Sequence, residues 1–300
     1  MLIQWFVSSS TLSQSFVRSK MSRLVPGGIR SRFKRVYRAC NHHIFAGCHW
    51  LVPTVGINLG GGQWRKLGWR NLDSRHMTDI EGAHLTPSSR LPEVDQSLSY
   101  VYSNHFFEHI DDATAQQLMN ESHRILKTGG VFRVSVPDFE LGMKAYRDRN
   151  HAFFDKEPWG LEVRYENWEM NSVSVSLENK LTSLFVTYEN VSDQGLWPPW
   201  KHIPGYYSGP VIAERAEIQK NAETMNIHEF SDWLLTRLPP TFNCLGHINV
   251  YDLEKFKRML DQAGFSKVVQ SRFRESAAPV LRGPDFDNRP EISLFVEAIK

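Results

Sequence analysis

Three consecutive glycines, Gly60 to Gly62, directly follow a short apolar segment, Val55 to Leu59. Glycine has no Cβ atom, so the chain can turn sharply there and its backbone can approach a ligand closely. Asp73 ends the next strand-like segment, which begins at Trp69. A carboxylate in that place can accept hydrogen bonds from two ribose hydroxyls. These residues predict a site for a ligand that contains a ribose.

The spacing argues against a dehydrogenase. A nicotinamide site favours the pattern GxGxxG at the start of a full helix, with the acid about 20 residues further on. Only ten residues separate Gly62 from Asp73 here, which is too few for that helix.

Four further side chains are candidates for accepting a proton from a substrate, because histidines and carboxylates are the usual general bases. They are His105, His109, Asp138 and His247. For His105 a structural role and a site role are equally expected, and the other three have specific structural alternatives. His109 can pack and hydrogen-bond locally, Asp138 can cap the turn after Pro137, and His247 can anchor the preceding segment. We expect His247 to open the last helix, with an ordinary pKa near 6.5 that suits a base at neutral pH.

Strand and helix signals alternate around these residues. Strands are predicted at Ser97 to Asn104 and Gly130 to Pro137. Between them a helix is predicted that is capped by Asp111 or Asp112, has Lys127 in its last turn and is stopped by Gly129 just beyond it. A last helix, capped by Asp252 and ended by Gly264, precedes two strands, Lys267 to Phe273 and Ile292 to Ile299. This order predicts an α/β fold with a mostly parallel sheet and an antiparallel C-terminal hairpin.

Residues 139–246 interrupt that alternation. The segment holds five of the nine tryptophans and a Pro/Gly/Tyr-rich stretch, WPPWKHIPGYYSGP, followed by a helix signal at about 210–238. Linkers are poor in aromatic residues, so we expect an inserted helical, aromatic-rich cap. The predicted organisation is an arm at 1–50, a ligand-binding domain at 51–138 and 247–300, and the cap at 139–246.

Charge is distributed unevenly. Residues 1–72 contain eleven Lys or Arg and no acid, whereas the remaining residues carry 24 bases and 33 acids. An arm of this kind is expected to make weak contact with an anionic surface, either nucleic acid or lipid headgroups. The alternative is a solvated leader, since Met21 could also begin the chain.

Compartment and metal use follow from the remaining composition. No apolar run reaches the roughly 20 residues that span a bilayer, and the three cysteines form no CxxC pair. Both features predict a cytoplasmic protein. Cys40, His42, His43, Cys48 and His49 cluster in the arm, but their spacing matches no common zinc pattern. No metal site is expected.

Several motifs, taken in order, resemble the type 11 S-adenosylmethionine-dependent methyltransferases. They are INLGGG, GWRNLD, SNHFFEHI, LKTGGVFRVSVPD, the AGF after the last helix, and SLFVEAIK. The resemblance covers about 55–140 and 247–300. It implies a class I, Rossmann-like methyltransferase fold with S-adenosyl-L-methionine as cofactor.

The resemblance also implies roles for individual residues. Gly60 and Gly62 would line the methionine and ribose part of the cofactor, Asp73 would hold the ribose hydroxyls, and Asp79 would lie near the adenine. Asn104 and His105 would face the methionine end, and Glu108 and His109 form the EH pair that follows. Three positions depart from the family pattern: Asn58 stands where many relatives outside this subgroup carry an acid, Gly61 replaces a cysteine and Thr128 replaces a proline. Asn58 and Gly61 are nevertheless expected to contact the cofactor.

The sequence therefore predicts methyl transfer from S-adenosylmethionine to a small-molecule or glycan-type acceptor. Two alternatives stay open. One is an RNA methyltransferase that uses the basic arm, and the other is a non-catalytic S-adenosylmethionine-binding protein. The sequence does not determine the oligomeric state.

Overall fold

The computed structural model describes residues 52–62, 64–73, 81–82, 85–154, 176–186, 213–237 and 247–300. By its internal contacts the chain divides into two units, Met1–Pro53 and Thr54–Lys300. Almost all described residues belong to the second unit. The predictions for the arm at 1–50, for Asp79 and for much of the cap fall outside the described residues.

Within the described residues, seven strands form one sheet in the order β3-β2-β1-β4-β5-β7-β6. The strands are β1 (Gly56–Leu59), β2 (Trp69–Asp73), β3 (Glu81–Gly82), β4 (Leu98–Asn104), β5 (Leu126–Pro137), β6 (Lys267–Ser271) and β7 (Ser293–Ile299). Strands β1 to β5 pair in parallel, whereas β7 runs antiparallel to both β5 and β6. The predicted fold, a mostly parallel sheet with an antiparallel C-terminal hairpin, is confirmed.

Helix α1 (Asp112–Ile125) covers one face of the sheet and begins where the sequence indicates, because Asp111 accepts a hydrogen bond from the backbone N–H of Thr114. Its predicted end is wrong. The chain leaves the helix at Leu126, which is fully buried and pairs with Leu98 on β4. Burial of that leucine in the sheet outweighs the local signal for continuing the helix to Gly129.

The described part of residues 139–246 is helical. It comprises α2 (Phe139–Arg147), α3 (His151–Phe154), α4 (Leu177–Val186), α5 (Arg215–Thr224) and α6 (Ile227–Leu235). The single helix predicted at 210–238 is two helices, because Asn226 and Glu229 form a capping box that starts α6. These helices share an apolar core that is separate from the core beneath the sheet.

Helix α7 (Leu253–Gln262) packs against α1, β6 and β7. Asp252 caps it by accepting from the backbone N–H of Lys255, and Gly264 follows it with a φ of +96°. Both ends agree with the sequence prediction. No helix among the described residues has the length and apolar character needed to cross a membrane.

Candidate active site

The carboxyl ends of the parallel strands meet at one edge of the sheet, which is where α/β folds bind their ligands. Gly60 follows β1, Asp73 ends β2, Asn104 ends β4 and Asp138 follows β5. Four positions that are distant in the sequence therefore share this edge.

The glycine loop after β1 adopts a backbone that other residues rarely adopt. Gly60 has a φ of +70° and Gly62 a φ of +52°. A Cβ at Gly60 would also lie 2.2 Å from the ring of Phe106, whereas a Cβ at Gly62 would meet nothing within 4 Å. The loop thus packs on the segment after β4 at one end and borders open space at the other.

The buried side chains of Asn58 and Asn71 pack against this glycine loop. A Cβ at Gly61 would lie 2.0 Å from Asn71 Oδ1 and 2.1 Å from Asn58 Nδ2. Asn71 Nδ2 donates to the carbonyls of Gly62 and Trp64, both at 2.9 Å. Asn58, proposed from the sequence as a cofactor contact, is almost completely buried beside Gly61.

Asp73 contacts the loop directly. Its Oδ2 accepts a hydrogen bond of 2.7 Å from the backbone N–H of Gly62. The loop and the carboxylate therefore form one unit at the sheet edge. Open space beside Gly62 and an adjacent carboxylate are what a ribose-containing ligand requires, so these residues fit S-adenosylmethionine.

Two further predicted site residues lie along the same edge. Asn104 Oδ1 accepts a hydrogen bond of 2.7 Å from Ser135 Oγ, which orients the amide at the end of β4. Asp138 caps α2 by accepting from the backbone N–H of Leu141 at 2.9 Å. Burial raises the pKa of Asp138.

The turn after β4 carries the polar centre of the site. His105 has a φ of +52°, which is unusual for a residue with a side chain, and a 3₁₀ helix follows at Phe107–His109. His105 Nδ1 lies 3.2 Å and His109 Nε2 4.0 Å from Glu108 Oε1. Burial alone would raise the pKa of Glu108, but the neighbouring histidines outweigh it and lower that pKa to about 2.

His247 reaches this turn from far along the chain. The backbone carbonyl of Glu108 accepts from the N–H groups of Ile248 and Asn249, at 2.8 and 3.2 Å. The ring of His247 then lies 4.9 Å from that of His109, edge to face.

The environment of His247 differs from the expected one. Helix α7 begins at Leu253, so His247 lies in the preceding loop and does not open the helix. Burial lowers its pKa to about 3, and its Nδ1 donates a hydrogen bond of 2.6 Å to the carbonyl of Leu184. The expectation of an ordinary pKa near 6.5 was wrong, because the side chain is buried.

The structure thus brings together three of the four predicted acid–base residues, His105, His109 and His247. The residue at their centre, Glu108, appeared in the sequence only as half of the EH pair. The available signal in the sequence was that Glu108 stands between two candidate histidines, His105 and His109.

Residues 66–134 match a family model described as a methyltransferase domain. That range contains β2, β4, α1 and most of β5, including Asp73 and the turn with Glu108. A sequence comparison with curated proteins gave no match.

Comparison with solved structures gave S-adenosylmethionine-dependent methyltransferases from several organisms. The Thermotoga maritima protein is 12% identical, covering 88% of this chain and 97% of its own, with a TM-score of 0.35. The Mesorhizobium loti protein is 16% identical, covering 85% and 97%, with a TM-score of 0.34. The Aquifex aeolicus protein is 8% identical, covering 86% and 88%, with a TM-score of 0.34.

The family match and the sheet, with its glycine loop and antiparallel hairpin, agree with the predicted Rossmann-like methyltransferase fold. The match of residues 66–134 to a methyltransferase domain implies S-adenosylmethionine as the cofactor.

Proposed function

We propose that the chain transfers a methyl group from S-adenosylmethionine to a small-molecule or glycan-type acceptor that binds beside the turn after β4. The observation that carries this proposal is the position of that turn. Phe106 packs against Gly60, and Glu108 follows it two residues later among three histidines.

The donor would be held by the glycine loop. Gly60 and Gly62 let the backbone approach it, Asp73 would accept from its ribose hydroxyls, and Asn104 would face its methionine end. When bound, S-adenosylmethionine supplies a methyl group on a sulfonium, and its leaving sulfide needs no proton. The task of the protein is therefore to hold the acceptor close and in line.

The acceptor side explains why polar residues collect at β4. An acceptor that is a hydroxyl or a carbon acid must lose a proton as it is methylated, and histidines and carboxylates can take that proton. His109 is partly exposed and suits contact with a substrate, whereas Glu108 and His247 are buried behind it. Asp138 would contribute from the end of β5.

Turnover with labelled S-adenosylmethionine tests the proposal. The full chain is incubated with pools of hydroxylated small molecules, oligosaccharides or RNA, and label transfer to each pool is measured. We expect transfer to one of the first two pools. Transfer to RNA alone would favour the alternative that uses the basic arm. Cofactor binding without transfer to any pool would favour a non-catalytic binding protein.

A further inference from the structure

Glu108 is completely buried, and the nearby histidine side chains offset the loss of water around its carboxylate. Its residue exposure is 0%, and neither carboxylate oxygen has a hydrogen-bond partner among the described residues. Burial of an ionised group without donors is strongly unfavourable. Some positive charge must therefore be available to this carboxylate in the working protein.

The nearest histidine does not supply a donor in its neutral form. Ser293 Oγ donates to the carbonyl of Arg289, so His105 Nε2–H must donate to Ser293 Oγ, at 2.8 Å. Neutral His105 then turns the lone pair of Nδ1 towards Glu108 Oε1, 3.2 Å away. Two acceptors facing each other at this distance are not a stable arrangement.

The tautomer of His247 is also fixed by its partner. A carbonyl oxygen only accepts, so the 2.6 Å contact with Leu184 places the proton of His247 on Nδ1. Nε2 is then the unprotonated nitrogen. Histidines that bind metals typically donate their other ring N–H to a carbonyl or carboxylate, which orients the ring. Leu184 can serve in this way because it lies in the last turn of α4, where carbonyls lack partners within the helix.

Three side chains converge closely enough to share one cation. One ligand atom from each of Glu108, His109 and His247 lies within 4.8 Å of the others. Atoms bound to one zinc ion at about 2.1 Å lie at most about 4.2 Å apart. Small side-chain rotations would close this difference, and His109, being partly exposed, has room to rotate.

We propose that Glu108, His109 and His247 bind one divalent transition-metal cation. Two imidazoles and one carboxylate suit zinc or iron and leave coordination positions open. The site adjoins the glycine loop through Phe106. This role rests on the proposed methyl transfer: the cation would bind the hydroxyl of the acceptor and lower its pKa. The acceptor would then be a compound that is methylated on oxygen.

Metal titration tests the site without methyl transfer. The full chain is stripped with a chelator and titrated with Zn²⁺ by calorimetry, and with Co²⁺ by visible absorption. We expect the unaltered protein to bind one Zn²⁺ or Co²⁺ ion at this site. Glu108→Gln, which keeps the side-chain shape, and His247→Ala should each weaken Zn²⁺ binding at least about tenfold and remove the Co²⁺ spectrum.

Control variants separate this site from other histidines. His151→Ala, an exposed histidine on α3, should bind Zn²⁺ as the unaltered protein does. A variant with His42, His43 and His49 changed to alanine should lose any Zn²⁺ bound by the arm and keep the site at Glu108. Far-ultraviolet circular dichroism checks that each variant folds.

Thermal unfolding gives a second readout, because a ligand that binds the folded state raises its melting temperature. Zn²⁺ should raise the melting temperature of the unaltered protein and leave that of Glu108→Gln unchanged. Equal Zn²⁺ binding by the unaltered protein and a folded Glu108→Gln, or no binding by either, would overturn the proposal. A protein that binds Zn²⁺ at this site but methylates nothing would contradict the proposed function alone.

Discussion

Two neighbouring glycines are required for different physical reasons. At Gly61 an added methyl group would collide with Asn58 and Asn71, both buried, whereas at Gly62 the space is open but φ is +52°. We expect Gly62→Ala to cost about 1 kcal/mol of unfolding free energy and Gly61→Ala about 3 kcal/mol. Urea unfolding of the two variants measures the difference. Equal losses of unfolding free energy in the two variants would mean that the side chains of Asn58 and Asn71 move to make room for the methyl group.

The carboxylate of Asp73 is expected to contribute to the affinity for S-adenosylmethionine. Asp73→Ala removes the proposed ribose contacts, and binding of S-adenosylmethionine should weaken by about 1.5–3 kcal/mol. The same change frees the N–H of Gly62, so Asp73→Asn is the sharper variant. Its amide oxygen can still accept from Gly62 while one ribose acceptor is lost, and affinity should fall by less.

Calorimetry with S-adenosylmethionine measures both changes. Asp261→Ala, on the exposed face of α7, is the matched control and should bind as the unaltered protein does. Unchanged affinity in a folded Asp73→Ala variant would remove Asp73 from the cofactor site.

At the scale of elements, an ion pair within α1 holds the segment before β4 through hydrogen bonds to the backbone of Leu91. Arg124 donates to both oxygens of Glu121, at 2.8 and 2.6 Å, and to the carbonyl of Leu91. Glu121 also accepts from the backbone N–H of Leu91 at 2.8 Å. Burial raises the pKa of Glu121, but the hydrogen bonds from Arg124 and Leu91 outweigh it, so the pKa lies below the usual value of 4.5.

The sign of the pH dependence follows from that shift. A carboxyl with a lower pKa in the folded state stabilises the protein above its unfolded pKa, and this contribution disappears as the pH falls through the folded pKa. Glu121→Gln should cost about 1–3 kcal/mol at pH 7. The difference from the unaltered protein should shrink below about pH 4.

Urea unfolding at pH 7 and at acid pH measures this effect. Glu254→Gln is the control, because Glu254 is 79% exposed and its pair with Lys257 should contribute less than about 0.5 kcal/mol. A difference for Glu121→Gln that stays constant with pH would show that shape, and not charge, accounts for the loss.

At the scale of the whole molecule, the unit Thr54–Lys300 contains the glycine loop, Asp73 and the turn after β4. A chain that lacks residues 1–50 should therefore bind S-adenosylmethionine unchanged. The deletion removes eight of the 35 basic residues and no acid. Binding to RNA or to anionic vesicles, if the full chain shows it, should weaken and lose part of its salt dependence.

Calorimetry for the cofactor and cosedimentation with vesicles or RNA at two salt concentrations measure both halves of this prediction. Loss of cofactor affinity on deletion would mean that the arm contributes to the site. If the full chain binds neither RNA nor anionic vesicles at low salt, the result would favour the alternative interpretation of the arm as a solvated leader.

The sequence by itself determined those features whose causes are local. The glycine loop, the acid that ends β2 and the helices capped by Asp111 and Asp252 all follow from residues within a few positions of each other. The alternation of strands and helices and the C-terminal hairpin then predict the fold, since only a few topologies connect the strands of such a sheet. The misplaced end of α1 marks the limit, because burial of Leu126 depends on a partner strand.

Only the tertiary structure decided the polar centre of the site. Glu108 and His247 are far apart in the chain, and they meet because the carbonyl of Glu108 binds the backbone of Ile248 and Asn249. Burial then lowers the pKa of His247, and the carbonyl of Leu184 fixes its tautomer. Charge state and ligand capacity depend on desolvation and on hydrogen-bond partners, and the folded chain supplies both from segments that no local pattern connects.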